Sequence, residues 1–150
     1  MIRKIQQSDR AEYLEMAQKM YDTDTVCNPV PFDHFEKTFL ELQHSDCYAS
    51  CYVYEEENKH LSGYTLLSKT YSQEAGGIVL WIEELFIKDE FRGLGHAKEL
   101  IEFILHSAHG DSTIRRIRLE VTESNHKAIS LYEKYNFKFL NYKQMILEEK

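Results

Sequence analysis

Little in this chain of 150 residues can form a covalent or metal framework. Cysteine occurs three times, at Cys27, Cys47 and Cys51. The number is odd and no CxxC pair occurs, which argues against a disulfide scaffold or a thiolate metal site. The spacing of Cys47 and Cys51 puts them on one face of a strand, as small core residues in a reduced, cytoplasmic protein. Both prolines fall in Asn28-Pro29-Val30-Pro31, where the chain breaks. No apolar run approaches the roughly 18 residues of a membrane span. The first residues, Met-Ile-Arg-Lys-Ile-Gln, lack the apolar stretch of a signal peptide. Basic residues are outnumbered, 18 against 25, and the net charge of −7 argues against nonspecific nucleic-acid binding. No repeat, low-complexity tract or long linker divides the chain, so a single domain over residues 1–150 is expected.

What remains is ordinary globular material, 43% hydrophobic and 29% charged. Met1 to Gln6 reads as a short strand, and Asp9 to Tyr21 as a helix with Tyr13, Leu14, Ala17, Met20 and Tyr21 on one stripe. Pro31 opens a second helix whose apolar face is Phe35, Phe39 and Leu42. Cys47 to Tyr54 and Leu61 to Tyr71 form a hairpin across Asn58-Lys59. Ile78 to Ile87 is apolar on both faces and therefore central. A third helix covers Ala97 to Ala108, with Leu100, Ile101, Ile104, Leu105 and Ala108 inward, and Gly110 stops it. Ile114 to Val121 alternates as a strand. A helix capped by Ser124 or Asn125 follows, then two short strands near Lys138–Asn141 and Lys143–Leu147. The class is α/β, with a mixed sheet and helices on both faces.

Arg92-Gly93-Leu94-Gly95-His96-Ala97 lies between the central strand and the third helix. A strand, a glycine turn and a helix start aim several backbone N–H groups at one point, and the helix dipole adds to them. Such a turn holds a phosphate or pyrophosphate. It is no P-loop, because GxxxxGK[ST] is missing. It fits only half of GxGxxG, because Lys98 stands where the third glycine belongs. Arg92, Gly95 and Ala97 satisfy [RQ]xxGx[GA]. Upstream, Glu83 and Glu84 interrupt the central strand, and strict alternation points them to opposite faces. A central strand buries both faces, so one carboxylate is expected to line a cleft. Tyr132 falls on the last helix, where a phenol is either a core residue or a proton donor.

Trp81-Ile82-Glu83-Glu84-Leu85-Phe86-Ile87, then the Arg92 to Ala97 turn, then Asn125-His126-Lys127-Ala128-Ile129-Ser130-Leu131-Tyr132 together resemble the GNAT superfamily of acetyl-CoA-dependent N-acetyltransferases. The Glu83-Glu84 strand is most similar to the spermidine/spermine (diamine) branch. The resemblance implies a GNAT-like, largely antiparallel mixed sheet, with acetyl-CoA as co-substrate and no metal. The Leu85-Phe86-Ile87 backbone would pair with the pantetheine arm. Amides from Gly93 through Lys98, following Arg92, would hold the pyrophosphate, with His96 placed to touch a phosphate or water. Asn125 and Lys127 would flank the coenzyme. Tyr132 would protonate the departing thiolate, and Glu83 would accept the amine's proton through water, with Glu84 as second choice. Ala97 replaces the commoner glycine, and Asn136 stands where glycine often ends the last helix.

In this fold the acceptor meets the first two helices and their connection, here Tyr21 to Thr25 with Phe32, Asp33, His34 and Glu36. Asp22, Asp24 and Glu84 are therefore candidate contacts for a small cationic amine, the reading preferred for the acceptor. The alternatives are a peptide or protein amine, or a module that senses acetyl-CoA without turnover. No nucleic-acid or membrane partner is expected. The family admits a homodimer, which the sequence does not decide.

Overall fold

The computed structural model describes residues 1–22 and 30–148. The elements are β1 (Ile2–Lys4), α1 (Arg10–Tyr21), α2 (Phe32–His44), β2 (Ala49–Glu55), β3 (Leu61–Ser72), β4 (Gly77–Ile87), α3 (His96–Gly110), β5 (Ile114–Leu119) and α4 (His126–Lys134). Strands β1 to β5 lie in sequence order in one five-stranded sheet. Neighbours are antiparallel except β4 and β5, which are parallel. A parallel pair needs a crossover, and α3 supplies it.

Each face of the sheet is covered by helices with matching apolar stripes. On one face Tyr13, Met16 and Ala17 of α1, with Phe35, Phe39 and Leu42 of α2, pack on Cys51, Val53, Tyr64, Leu66 and Phe86. On the other, Ile101, Ile104 and Ala108 of α3 pack on Leu67, Leu80 and Ile82, with Leu131 and Tyr132 of α4 alongside. The helical spacing read from the sequence is the spacing that is buried.

Strand β4 does not alternate strictly. Leu66 of β3 pairs with Glu84, but the next residue, Leu67, pairs with Ile82. Glu83 is therefore an extra residue, a β-bulge. Before it, Leu80 and Ile82 face α3; after it, Phe86 faces α1 and α2. Without the bulge these three residues would share a face.

Three expectations from sequence are corrected. Cys47 precedes β2 and is exposed, whereas Cys51 is buried in the strand, so they do not share a face. Pro31 stands one residue before α2 rather than inside it. Residues 137–148 form no strand. Phe137 packs beside the α3 core, but the apolar residues after it include the adjacent runs Phe139-Leu140 and Met145-Ile146-Leu147, all exposed. Adjacent runs do not define one buried face, so they specify no register.

Arg3 ties β1 to its surroundings. Its guanidinium donates to both oxygens of Asp9, at 2.7 and 2.9 Å, and to Glu55 on β2 at 2.7 Å. Burial pushes the Asp9 carboxyl up, but the hydrogen bonds from Arg3 and the Gln6 amide outweigh it and hold it below its ordinary value. Lys59 and then Arg3 hold Glu55 down. Folded values below unfolded ones give a contribution that is complete above the unfolded range of about 4 and is lost as pH falls through the folded values. Arg3→Met is expected to lower the melting temperature strongly at neutral pH and much less at an acid pH below the depressed folded values of Asp9 and Glu55. Thermal denaturation at both pH values checks this, and equal losses would refute it.

Candidate active site

After β4 the chain makes a short turn of 3-10 helix over Asp89–Phe91 and then reaches the glycines. Arg92 braces this corner. Its Nε donates to the Ile87 carbonyl at 3.2 Å, and its guanidinium pairs with Asp89 at 2.8 Å. Gly93 and Gly95 have φ of +80° and +97°, which L side chains rarely adopt. A Cβ at either would meet nothing within 4 Å. The glycines are thus required by conformation, and the space in front of them is open. Gly95 caps α3, and the first helical bond runs from Glu99 N to Gly95 O at 3.0 Å. The amides of His96, Ala97 and Lys98 have no intrahelical acceptor. They form an anion cradle at the positive end of a helix, and the residues present fit a pyrophosphate there.

The His96 side chain does not belong to that cradle. It is buried, with Nε2 2.8 Å from Glu56 Oε1 and its ring 4.2 Å from that of Tyr54. The sequence reading sets His96 to touch a phosphate or water; its ring fastens the start of α3 to the end of β2, and its amide stays at the start of the helix. The Lys98 ammonium lies 3.7 Å from Glu102, one turn along the helix. Leu94 is exposed at the turn.

Beside this turn the sheet opens. Pairing of β4 with β5 ends at Ile82 and Leu119. Glu83 to Ile87 run on with no strand beyond them on that side, among the described residues. The Leu85-Phe86-Ile87 backbone therefore borders a gap, although the Ile87 carbonyl is already an acceptor for Arg92. Phe86 itself is a core side chain.

The bulge corrects the expectation that Glu83 and Glu84 point to opposite faces. Glu83 accepts from the Ser68 hydroxyl, and Glu84 accepts from the Tyr64 hydroxyl at 2.5 Å and the Tyr21 hydroxyl at 2.8 Å. Ser68 and Tyr64 alternate with Leu66 on the α1/α2 face of β3, so both carboxylates lie on that face. They differ in exposure. Glu83 is open to solvent, while Glu84 is 8% exposed. Burial pushes the Glu84 carboxyl above its ordinary value against the two phenol donors, and the neighbouring charge of Glu83 adds to the rise. With both oxygens occupied, Glu84 stands behind the cleft rather than at its surface. Sequence reasoning missed Tyr64 and Ser68. A tyrosine inside an apolar strand signals a need for a hydroxyl partner, but the bulge decides which partner it meets.

The remaining candidates are scattered around this centre. Asn125 uses its side chain to cap α4, accepting from the Ala128 amide at 3.2 Å, and Lys127 is exposed. The Tyr132 hydroxyl makes no hydrogen bond to the described residues, and burial pushes it up, so it stays protonated at neutral pH. Tyr132 lines a cavity of about 1220 Å³ between β5, α4 and residues 137–146. Neither carboxylate nor the glycine turn reaches that cavity, so size alone does not locate the chemistry. Asp22 caps α1 and is exposed, and Asp24 lies outside the described residues. Of the other acidic residues on the acceptor side, Asp33 pairs with Lys37 and Glu36 with Arg10. Gly95→Glu is expected to abolish coenzyme A binding while the protein keeps its circular dichroism spectrum, because a negative side chain would enter the cradle. Unchanged affinity in calorimetry would sink this assignment.

The sequence profile of the acetyltransferase (GNAT) family matches residues 15–137. An N-alpha-acetyltransferase of Saccharolobus solfataricus is 40% identical over 57 residues, which are 38% of this chain and 34% of that relative. The chain thus aligns with about a third of that relative's length. A possible acetyltransferase from Clostridium difficile 630 superposes with a TM-score of 0.85 at 20% identity, over 100% of this chain and 97% of the other. Glucosamine-6-phosphate N-acetyltransferase from Arabidopsis thaliana superposes with a TM-score of 0.74 at 20% identity, over 99% and 98% of the two chains. At such identity the superpositions speak for the fold, while the profile match over most of the chain speaks for the family. An open β4 edge, a glycine turn at a helix start and this match lead to one conclusion: the chain belongs to the acetyltransferase (GNAT) family.

Proposed function

We propose that this enzyme acetylates the primary amine of a small cationic molecule by direct transfer from acetyl-CoA. The observation that carries the reading is the bulge, which sets an accessible Glu83 carboxylate beside the open edge of β4. Amides at the start of α3 bind the pyrophosphate, and the Leu85 to Ile87 backbone orients the pantetheine arm. Acetyl-CoA supplies the activated acyl group. An alkyl amine has a pKa near ~10, so about one molecule in a thousand is neutral at pH 7. Glu83 removes the ammonium proton through water. The nitrogen then bonds to the acyl carbon as the C–S bond breaks, the Tyr132 hydroxyl gives its proton to the sulfur, and the second proton that the acylated nitrogen sheds restores the Tyr132 phenol through water.

A second reading, transfer to a peptide or protein amine, draws on the local similarity to an N-alpha-acetyltransferase. The diamine branch rests on the Glu83-Glu84 strand alone, and the family match does not reach that far. Thiol release across a panel of small amines and peptides tests the acceptor class. Preference for peptides over every small amine would replace the first reading by the second.

Tyr132→Phe is expected to keep acetyl-CoA affinity and to lower turnover by about 100-fold, within the range for general acids. Glu83→Gln should lower turnover most at neutral pH and recover towards pH ~10, where alkyl amines lose their proton unaided. A Glu83→Gln variant with the wild-type pH–rate profile would remove Glu83 from the mechanism.

A further inference from the structure

Glu84 is a buried carboxyl with no cation beside it among the described residues. The titratable groups that face it are Tyr13 and Tyr21 of α1, Cys51 of β2, Tyr64 of β3 and its neighbour Glu83. Among the described residues no lysine, arginine or histidine pairs with it. Burying an unpaired carboxylate costs several kcal/mol unless hydrogen bonds or a counter-charge offset the loss of water. Two phenols supply the hydrogen bonds, and no described residue supplies the counter-charge.

Tyr21 is the group that carries this charge outward. It is the last residue of α1 and is half-buried. Its hydroxyl proton is committed to Glu84 Oε1 at 2.8 Å. The phenol oxygen can therefore only accept a further hydrogen bond, and the carboxylate behind it makes it a stronger acceptor. Tyr21 also lines a cavity of about 180 Å³ with Phe32, Phe35 and Asp22, and its ring lies 5.5 Å from that of Phe35. Aromatic faces, the Asp22 carboxyl and an acceptor-only oxygen suit an alkylammonium, and the Gln18 amide is the lining side chain that can donate.

We propose that Tyr21, held and polarised by Glu84, is the specificity-determining contact for the ammonium group of the acceptor. Glu84 is then a positioning residue that acts through Tyr21, and the substrate brings the counter-charge that the fold omits. This rests on the small-amine reading above and names the residues that select for it. It also moves selectivity from exposed acidic residues, which salt screens, to a buried charge, which salt screens much less.

The test is calorimetry of butylamine and of neutral butyramide against the coenzyme A-saturated enzyme, at neutral pH and at low and high salt. The variants are Tyr21→Phe, Glu84→Gln and the double change. Wild type is expected to bind butylamine and not butyramide, at both salt concentrations. Tyr21→Phe should weaken butylamine binding by about 10- to 100-fold, the range for a hydrogen bond to a charged group. It should leave coenzyme A affinity unchanged, and the double variant should be no weaker than Tyr21→Phe. Glu84→Gln should weaken butylamine in the same direction. Should that buried variant fail to fold, Tyr21→Phe, which removes only a hydroxyl, still decides the matter. Butylamine affinity unchanged in Tyr21→Phe, or selectivity that disappears at high salt, overturns the proposal. Absence of butylamine binding in wild type also overturns it. Thiol release by the same wild type with any small amine reports separately on the proposed function. Activity with other amines alongside unchanged Tyr21→Phe binding would leave that function standing and this assignment refuted.

Discussion

One extra residue in β4 governs what the rest of the molecule can do. A regular strand would keep Leu80, Ile82, Glu84 and Phe86 on one face, and would put two carboxyl-bearing positions on opposite sides of the sheet. The bulge at Glu83 changes the side-chain phase within a single step. Ile82 stays in the core beneath α3, Phe86 joins the core beneath α1 and α2, and both carboxylates fall on the latter face. Pairing with β5 also stops at Ile82, immediately before the bulge. The opening of the sheet and the grouping of the acids thus occur at one place in the strand. A bulge increases local twist and bends its strand, which suits a strand leaving its parallel neighbour.

The second requirement is a fixed direction for the start of α3. Amides at a helix N-terminus bind an anion well only if the helix cannot tilt away from it. Three contacts hold it. Arg92 links the turn to the last carbonyl of β4, His96 reaches back to Glu56 beyond β2, and the hydroxyl of Tyr54 donates to Glu99 at 2.8 Å. That last bond also pushes the Tyr54 phenol up to about 12. Charged and polar side chains near the turn therefore serve its geometry, while backbone amides are left to meet the phosphate. On the proposed reading, a chain with net charge −7 would hold a pyrophosphate through backbone amides and need no basic patch.

The sequence made the fold legible where one residue spacing had one structural solution. The stripe of α3, the apolar run of β4 and the glycine turn each demand a particular period or a positive φ, and each formed near its expected bounds. Asn136 likewise adopts the left-handed conformation, φ +65°, expected of a residue that ends a helix. Legibility failed where a long-range partner decides. The strand bulge depends on how β3 and β4 register, which neither strand's own pattern encodes. The direction of the His96 ring depends on Glu56, forty residues away in the chain. Residues 137–148 carry apolar side chains but no alternation, so hydrophobicity alone did not make strands of them.

The same distinction separates the two carboxylates, which the sequence presents as equals. Glu83 stays exposed to solvent and accepts one hydrogen bond, from Ser68. Glu84 gives up its water for two phenol donors and pairs with no cation among the described residues. A core optimised for stability alone would place an apolar residue there, since replacing buried charge by well-packed apolar groups is often neutral or stabilising. Tyr13, Tyr64, Met16 and Phe39 already supply a dense apolar surround on that face. A buried carboxyl with no counter-charge among the described residues is therefore a cost borne by a stable core, and costs of this kind cluster at functional sites. Its position, one hydroxyl away from the end of α1, places that cost on the side of the sheet where Glu83 is accessible, and not on the side packed by α3.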